Sequence, residues 1–150
     1  MDKTTSRIES ELEVRAFVQN LKYALINGAH LEFQMHRRVD EGRPKQYSNV
    51  YTVNKLFPND DPVSAIKKEL MSLSEKDYIR TVKDLRFTNR SEMREFGKRY
   101  AGEGDVYIKI RVELIGVYGS TTIFVMSFHF AERPLDLEKF PYKDSQGGDR

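Results

Sequence analysis

Hydrophobic positions along this chain change their period several times, and each change predicts an element. Over residues 11–27, Leu12, Val14, Phe17, Val18, Leu21 and Leu25 recur at helical spacing. Gly28 follows as a C-terminal cap, because glycine takes a positive φ without strain. Leu31, Phe33 and Met35 then alternate with polar residues, as in a strand, until Gly42 and Pro44 interrupt. Residues 49–57, NVYTVNKLF, read as a second short strand, and PNDDP as a turn. Asp61 caps a helix that starts at Pro62 and buries Val63, Ile66 and Leu70. Ser74 and Asp77 form a capping-box pattern, which predicts a short helix over 75–83. KDLRF opens a strand. In the stretch that follows, Met93, Phe96 and Tyr100 fit a helix, whereas Met93, Glu95 and Gly97 alternate poorly.

The last third alternates most regularly. Two β-rich runs, 105–115 and 121–131, flank GVYGS and predict an antiparallel hairpin. A three-residue loop of Val117, Tyr118 and Gly119 puts Gly119 at the left-handed position. That loop sets Tyr107 opposite His129, Lys109 opposite Ser127 and Arg111 opposite Val125. Val106, Ile108, Ile110 and Val112 then share the core face with Phe124, Met126, Phe128 and Phe130. Tyr107, Lys109, Arg111, Ser127 and His129 share the other face. A one-residue slip would turn Phe124, Met126 and Phe128 outward, so burial favours this register. The chain from Pro134 onward is expected to be an extended, partly disordered tail, leaving a single domain over residues 1–133.

Composition narrows the class. At 150 residues, 39% hydrophobic and 32% charged, the chain suits one soluble domain with its own core. No apolar run approaches the roughly 18 residues that span a membrane. The charged start, MDKTTSRIESELEV, has no apolar signal segment, so the expected location is cytoplasmic, away from membranes. Without cysteine there is neither a disulfide framework nor a thiolate ligand or nucleophile. Residues 76–111 hold ten Lys or Arg against six Asp or Glu, a local excess that would suit an anionic partner.

His30, His36 and His129 form no close-spaced ligand set, and the aspartates of PNDDP lack calcium-loop spacing. No metal or other cofactor is expected. No phosphate-binding glycine loop or nucleophile elbow is present. A metal-free route to RNA cleavage remains. It requires a base for the ribose 2′-OH, a proton for the leaving oxygen, and cations for the phosphoryl charge. His129 is the proton-transfer candidate. Lys109 with Arg80 or Arg111 would clamp phosphate, and Tyr107 would contact phosphate or stack on a base. The competing reading is a wet sheet face, with Lys109 and Arg111 paired to Glu113 or Glu132 and His129 a surface histidine.

Three segments add a resemblance. LSEKDYIR (73–80), GDVYIKI (104–110) and VMSFH (125–129) occur in the order and spacing of the MqsR-type toxins. That family is similar in having a Leu-Ser-x-x-Asp-aromatic-x-Lys helix, a Gly-x-Val-Tyr-Leu-Lys-Ile strand and a final strand with Ser-Phe-Lys. The resemblance covers residues 63–131. It implies a RelE-like α+β fold, with N-terminal helices on one face of a small antiparallel sheet that ends in a hairpin. It also implies a metal-independent messenger-RNA endoribonuclease, acting on free or ribosome-bound message and silenced by a cognate antitoxin. The family's catalytic positions fall on Arg80, Tyr107 and His129. Lys109, Arg111 and Ser127 are assigned to RNA binding, with Arg94 in place of the family's Trp-Gln strand. Two departures follow from chemistry: an arginine at position 80 cannot act as a base, and a histidine at 129 replaces a lysine. The segment at residues 40–60 and the C-terminal tail are additions to the family pattern. The alternative function is a non-catalytic module whose basic sheet face docks protein or nucleic acid.

Overall fold

The computed structural model describes residues 3–37, 42–115 and 120–145. Six strands form one sheet: β1 (Thr4–Arg7), β2 (His30–Phe33), β3 (Tyr78–Asp84), β4 (Met93–Tyr100), β5 (Gly104–Ile115) and β6 (Ser120–Phe130). Their order is β1-β3-β4-β5-β6-β2, antiparallel except for the β2–β6 pair. Three helices, α1 (Glu11–Ile26), α2 (Asn49–Leu56) and α3 (Pro62–Met71), make the fold α+β. Among the described residues, no helix is long and apolar enough to cross a membrane.

The first helix forms as its pattern predicts. Ser10 and Glu13 complete a capping box, Val14, Val18, Leu21 and Leu25 face the sheet, and Gly28 adopts φ +83°. Asp61 caps α3, whose buried residues are Ala65, Ile66 and Leu70; Val63, expected in the core, is 43% exposed. Ile66, Leu70 and the buried side chains of α1 pack with Tyr78, Phe96, Ile108, Val125 and Phe128 in a single core on one face of the sheet. Each fully buried aliphatic there contributes roughly 1.5–3 kcal/mol.

Residues 49–56 are a helix, although their β-branched composition predicts a strand. The reason lies outside the segment. Strand β2 covers β6 only over residues 122–125, which leaves the next stretch of the β6 edge without a strand partner. Helix α2 supplies the missing hydrogen bonds from its side chains. Asn49 donates to the Gln34 and Met126 carbonyls at 2.8 and 3.1 Å and accepts from Phe128 N–H at 3.0 Å. Thr52 accepts from Phe130 N–H at 2.9 Å. Buried backbone groups require such partners, and local propensity yields to that requirement.

The expected helix over 75–83 reduces to a 3₁₀ turn, Glu75–Asp77, and then becomes β3. A β-bulge explains the misleading period. Tyr78 pairs with Phe96 but Arg80 with Glu95, so Ile79 is an extra residue. Tyr78 and Thr81 therefore point to the same face three positions apart, as residues of a helix would. The ambiguous stretch after residue 91 resolves into β4.

The hairpin register holds at its open end, where Tyr107 faces His129 and Lys109 faces Ser127. A second bulge at Met126 then shifts it by one, so Arg111 opposes Phe124 rather than Val125. Ile123 and Val125 fill the core, and the expected core residues Phe124 and Met126 are only half-buried. The proposed loop of Val117, Tyr118 and Gly119 lies outside the described residues.

The segment after Pro134 follows a definite course. It crosses the sheet face opposite the helices, with Leu135 and Phe140 seated on Gly97. A Cβ at position 97 would lie 2.6 Å from Leu135 Cδ1 and 2.9 Å from Phe140 Cζ, so these two side chains would have to shift to admit one.

Candidate functional site

The two bulges terminate one cross-strand row. Arg80, Glu95, Lys109 and Ser127 lie side by side across β3, β4, β5 and β6, with Ile79 and Met126 as the extra residues at its two ends. Without Ile79 as an extra residue, Arg80 would oppose Arg94 on the helix face; the bulge brings it onto the face that carries Lys109. Ser127 faces Lys109 from the open end of the hairpin, and the bulge at Met126 turns Val125 and Ile123 into the core beyond it. The next row holds Gly97, Tyr107 and His129.

Glu95 is the centre of the site and was not foreseen. It is 2% exposed, accepts from Arg80 Nε at 2.7 Å, and lies 3.7 Å from Lys109 Nζ. The expectation named its neighbour Arg94, but alternation sends that side chain to the helix face. There Arg94 donates to Glu9 at 2.8 and 3.3 Å and sits 4.6 Å over the Phe17 ring. The signal for Glu95 was present in the strand reading: 93, 95 and 97 share a face, and an acid there meets Lys109 across the strands.

Tyr107 and His129 pack with ring centroids 5.6 Å apart, and Lys109 Nζ lies 5.9 Å from the tyrosine ring. Burial, reinforced by the Glu95 carboxylate, pushes the Tyr107 phenol far above its ordinary value. Tyr107 is therefore a neutral hydrogen-bonding hydroxyl at any physiological pH. Burial lowers the Lys109 ammonium, with Arg37 and Arg80 acting in the same direction and Glu95 against them. The hydrogen bond to Glu95 raises Arg80, which stays cationic.

Two arginines from the segment between β2 and α2 complete the site, and nothing local in the sequence marks them. Arg37 donates to Ser127 Oγ at 2.8 Å, and Arg43 Nη1 lies 3.0 Å from His129 Nε2. A guanidinium only donates, so Nε2 is the acceptor; the ring proton resides on Nδ1, 3.1 Å from the Phe130 carbonyl. His129 thus presents an unprotonated Nε2. Arg111 stands one row further along, bonded to Glu113 at 2.9 Å and lying 4.3 Å over Phe124.

The structure thus gathers Arg80, Tyr107, Lys109, Ser127 and His129, sets Arg111 at the margin, and places Arg94 elsewhere. Among the described residues, no group of three or more His, Asp or Glu is arranged to hold a metal ion. Scans against protein-family models, curated proteins and solved structures each return no match for this chain.

Proposed function

We propose that this chain is a metal-independent endoribonuclease of the toxin type, with a RelE-like fold, acting on messenger RNA in the cytoplasm and restrained by an antitoxin. The observation that carries the reading is the pairing of two features on one sheet face. One is the Arg80–Glu95–Lys109 row; the other is a histidine with an accepting Nε2 beside a neutral tyrosine. In this mechanism a ribose 2′-OH takes the place of Arg43 at His129 Nε2, which accepts its proton, and the 2′-oxygen attacks the adjacent phosphorus. The bond from phosphorus to the 5′-oxygen breaks, and that oxygen takes a proton from the Lys109 ammonium, which burial makes more acidic. Arg80 neutralises the phosphoryl oxygens, and Tyr107 donates a hydrogen bond to one of them. Glu95 keeps Arg80 and Lys109 aimed. The products are a 2′,3′-cyclic phosphate and a 5′-hydroxyl.

A second reading has an observation of its own. Glu95 already pairs with both Arg80 and Lys109, as it would in a docking face that performs no chemistry. Incubating the protein with mixed-sequence RNA in EDTA separates the two. Cleavage with cyclic-phosphate ends, reduced about 100-fold or more in His129→Ala, is the expected result. RNA left intact both with and without ribosomes would eliminate the enzyme and leave the docking face.

A further inference from the structure

The C-terminal segment is anchored along its length. Leu135 N–H donates to Asp105 Oδ2 at 2.6 Å, and Arg99 holds that carboxylate from the other side at 2.8 Å. Leu135 and Phe140 rest on Gly97. Tyr142 stacks on Tyr78 with centroids 6.1 Å apart and donates its hydroxyl to the Glu9 carbonyl; Ser145 Oγ donates to Glu75 at 2.8 Å. So fixed, the segment forms one wall of a cavity of about 480 Å³ whose floor is Arg80, Glu95 and Tyr107. Ile8, Ile79, Leu135 and Pro141 give it an apolar part, and Glu138 and Lys139 add polar side chains to its lining. The volume falls within the roughly 300–1,000 Å³ of small-molecule sites.

We infer that this cavity receives a nucleobase, that of the nucleotide whose phosphate Arg80 and Lys109 hold. The inference rests on the phosphate-binding reading of that row and adds a base-selecting pocket to it. Three properties point to this occupant. Arg80, although paired with Glu95, has a side chain 49% exposed and can meet a phosphate at that end of the cavity. Ile8, Ile79, Leu135 and Pro141 offer apolar surface to a planar ring. The polar side chains of the lining, Arg80, Glu95, Tyr107, Glu138 and Lys139, can meet the hydrogen-bonding edges of a base. A purely apolar ligand would bury these polar side chains without adding a hydrogen-bond partner.

The test uses the full chain and calorimetric titration with ribose 5-phosphate and the four nucleoside 3′-monophosphates. At least one nucleotide should bind about 10-fold tighter than ribose phosphate, the gain expected of one stacked base. Leu135→Ala should erase most of that advantage and leave ribose phosphate binding unchanged. Ile8→Ala alters a side chain that is 55% exposed, so it is compatible with folding, and it should erase part of the advantage. The inference is overturned if no nucleotide outbinds ribose phosphate, or if the advantage survives both substitutions. Binding is read without cleavage. A protein that passes here and leaves RNA intact loses only the enzymatic reading, and an active nuclease whose variants keep the advantage loses only the pocket.

Discussion

Glu9 and Glu95 are both buried carboxylates, 4% and 2% exposed, and each accepts from an arginine Nε, at 2.8 and 2.7 Å. They lie on opposite sides of the same sheet. Glu9 is enclosed on the helix side, where it also accepts from Thr81 Oγ1 at 2.5 Å and its backbone N–H donates to the Tyr78 hydroxyl at 3.0 Å. Its arginine, Arg94, has a side chain 19% exposed and is roofed by Phe17. The arginine of Glu95 is 49% exposed and borders a cavity. The same ion pair therefore serves two ends. One closes the structure between β1, α1 and β4. The other holds Arg80 beside a cavity, with Lys109 3.7 Å from the same carboxylate.

That contrast can be broken from either side, beginning with the larger effect. Glu9→Gln removes the buried charge that faces Arg94 and turns one of its two acceptor oxygens into a donor, and it should destabilise the fold by about 3 kcal/mol, read from the midpoint of urea unfolding. Glu95→Gln removes a charge whose main partner can turn to water, so about 1 kcal/mol is expected in the same measurement. Its greater effect should be on ligands: ribose phosphate affinity should change while the helix-side core stays intact by near-ultraviolet circular dichroism. An equal loss of stability in both variants would remove the distinction.

The smallest effect is on pH dependence. Burial opposes the charge of Glu9, but the hydrogen bonds from Arg94 and Thr81 outweigh it and hold the carboxyl below its ordinary value. A carboxyl depressed in the folded state contributes stability above its unfolded value of about 4.3, and this is lost as pH falls through the folded value. Unfolding midpoints should therefore fall between pH 5 and pH 3 in the wild type and fall less steeply in Glu9→Gln. Asp105, held low by Arg99, and Glu92, held low by Arg7, keep part of the slope in both proteins.

How much of this was legible in the sequence depended on where the governing contact lay. The open end of the hairpin was legible because strict alternation over 105–110 admits one register that buries its apolar side chains, and that brought Tyr107 opposite His129. The same alternation misled beyond Met126, because the bulge there is sustained by Asn49, distant in sequence. Residues 49–56 misled in the same way: what makes them a helix is the unpaired edge of β6. Arg80 was found by its motif, yet on the wrong kind of element, since the bulge at Ile79 imitates a helical period. Glu95 and Arg94 differ only in parity, and the pattern over 93–100 does not fix the parity because it fits a helix as well as a strand. Arg37 and Arg43 reach the site from a segment whose sequence gives no sign of where it folds.

Gly97 also bears on how such chains can vary. A hydrogen atom at that position lets Leu135 and Phe140 settle directly on the strand backbone. A side chain there would push these two tips away and displace the cavity wall to which Leu135 belongs. Position 97 is therefore a place where one substitution could reshape the cavity without touching its floor.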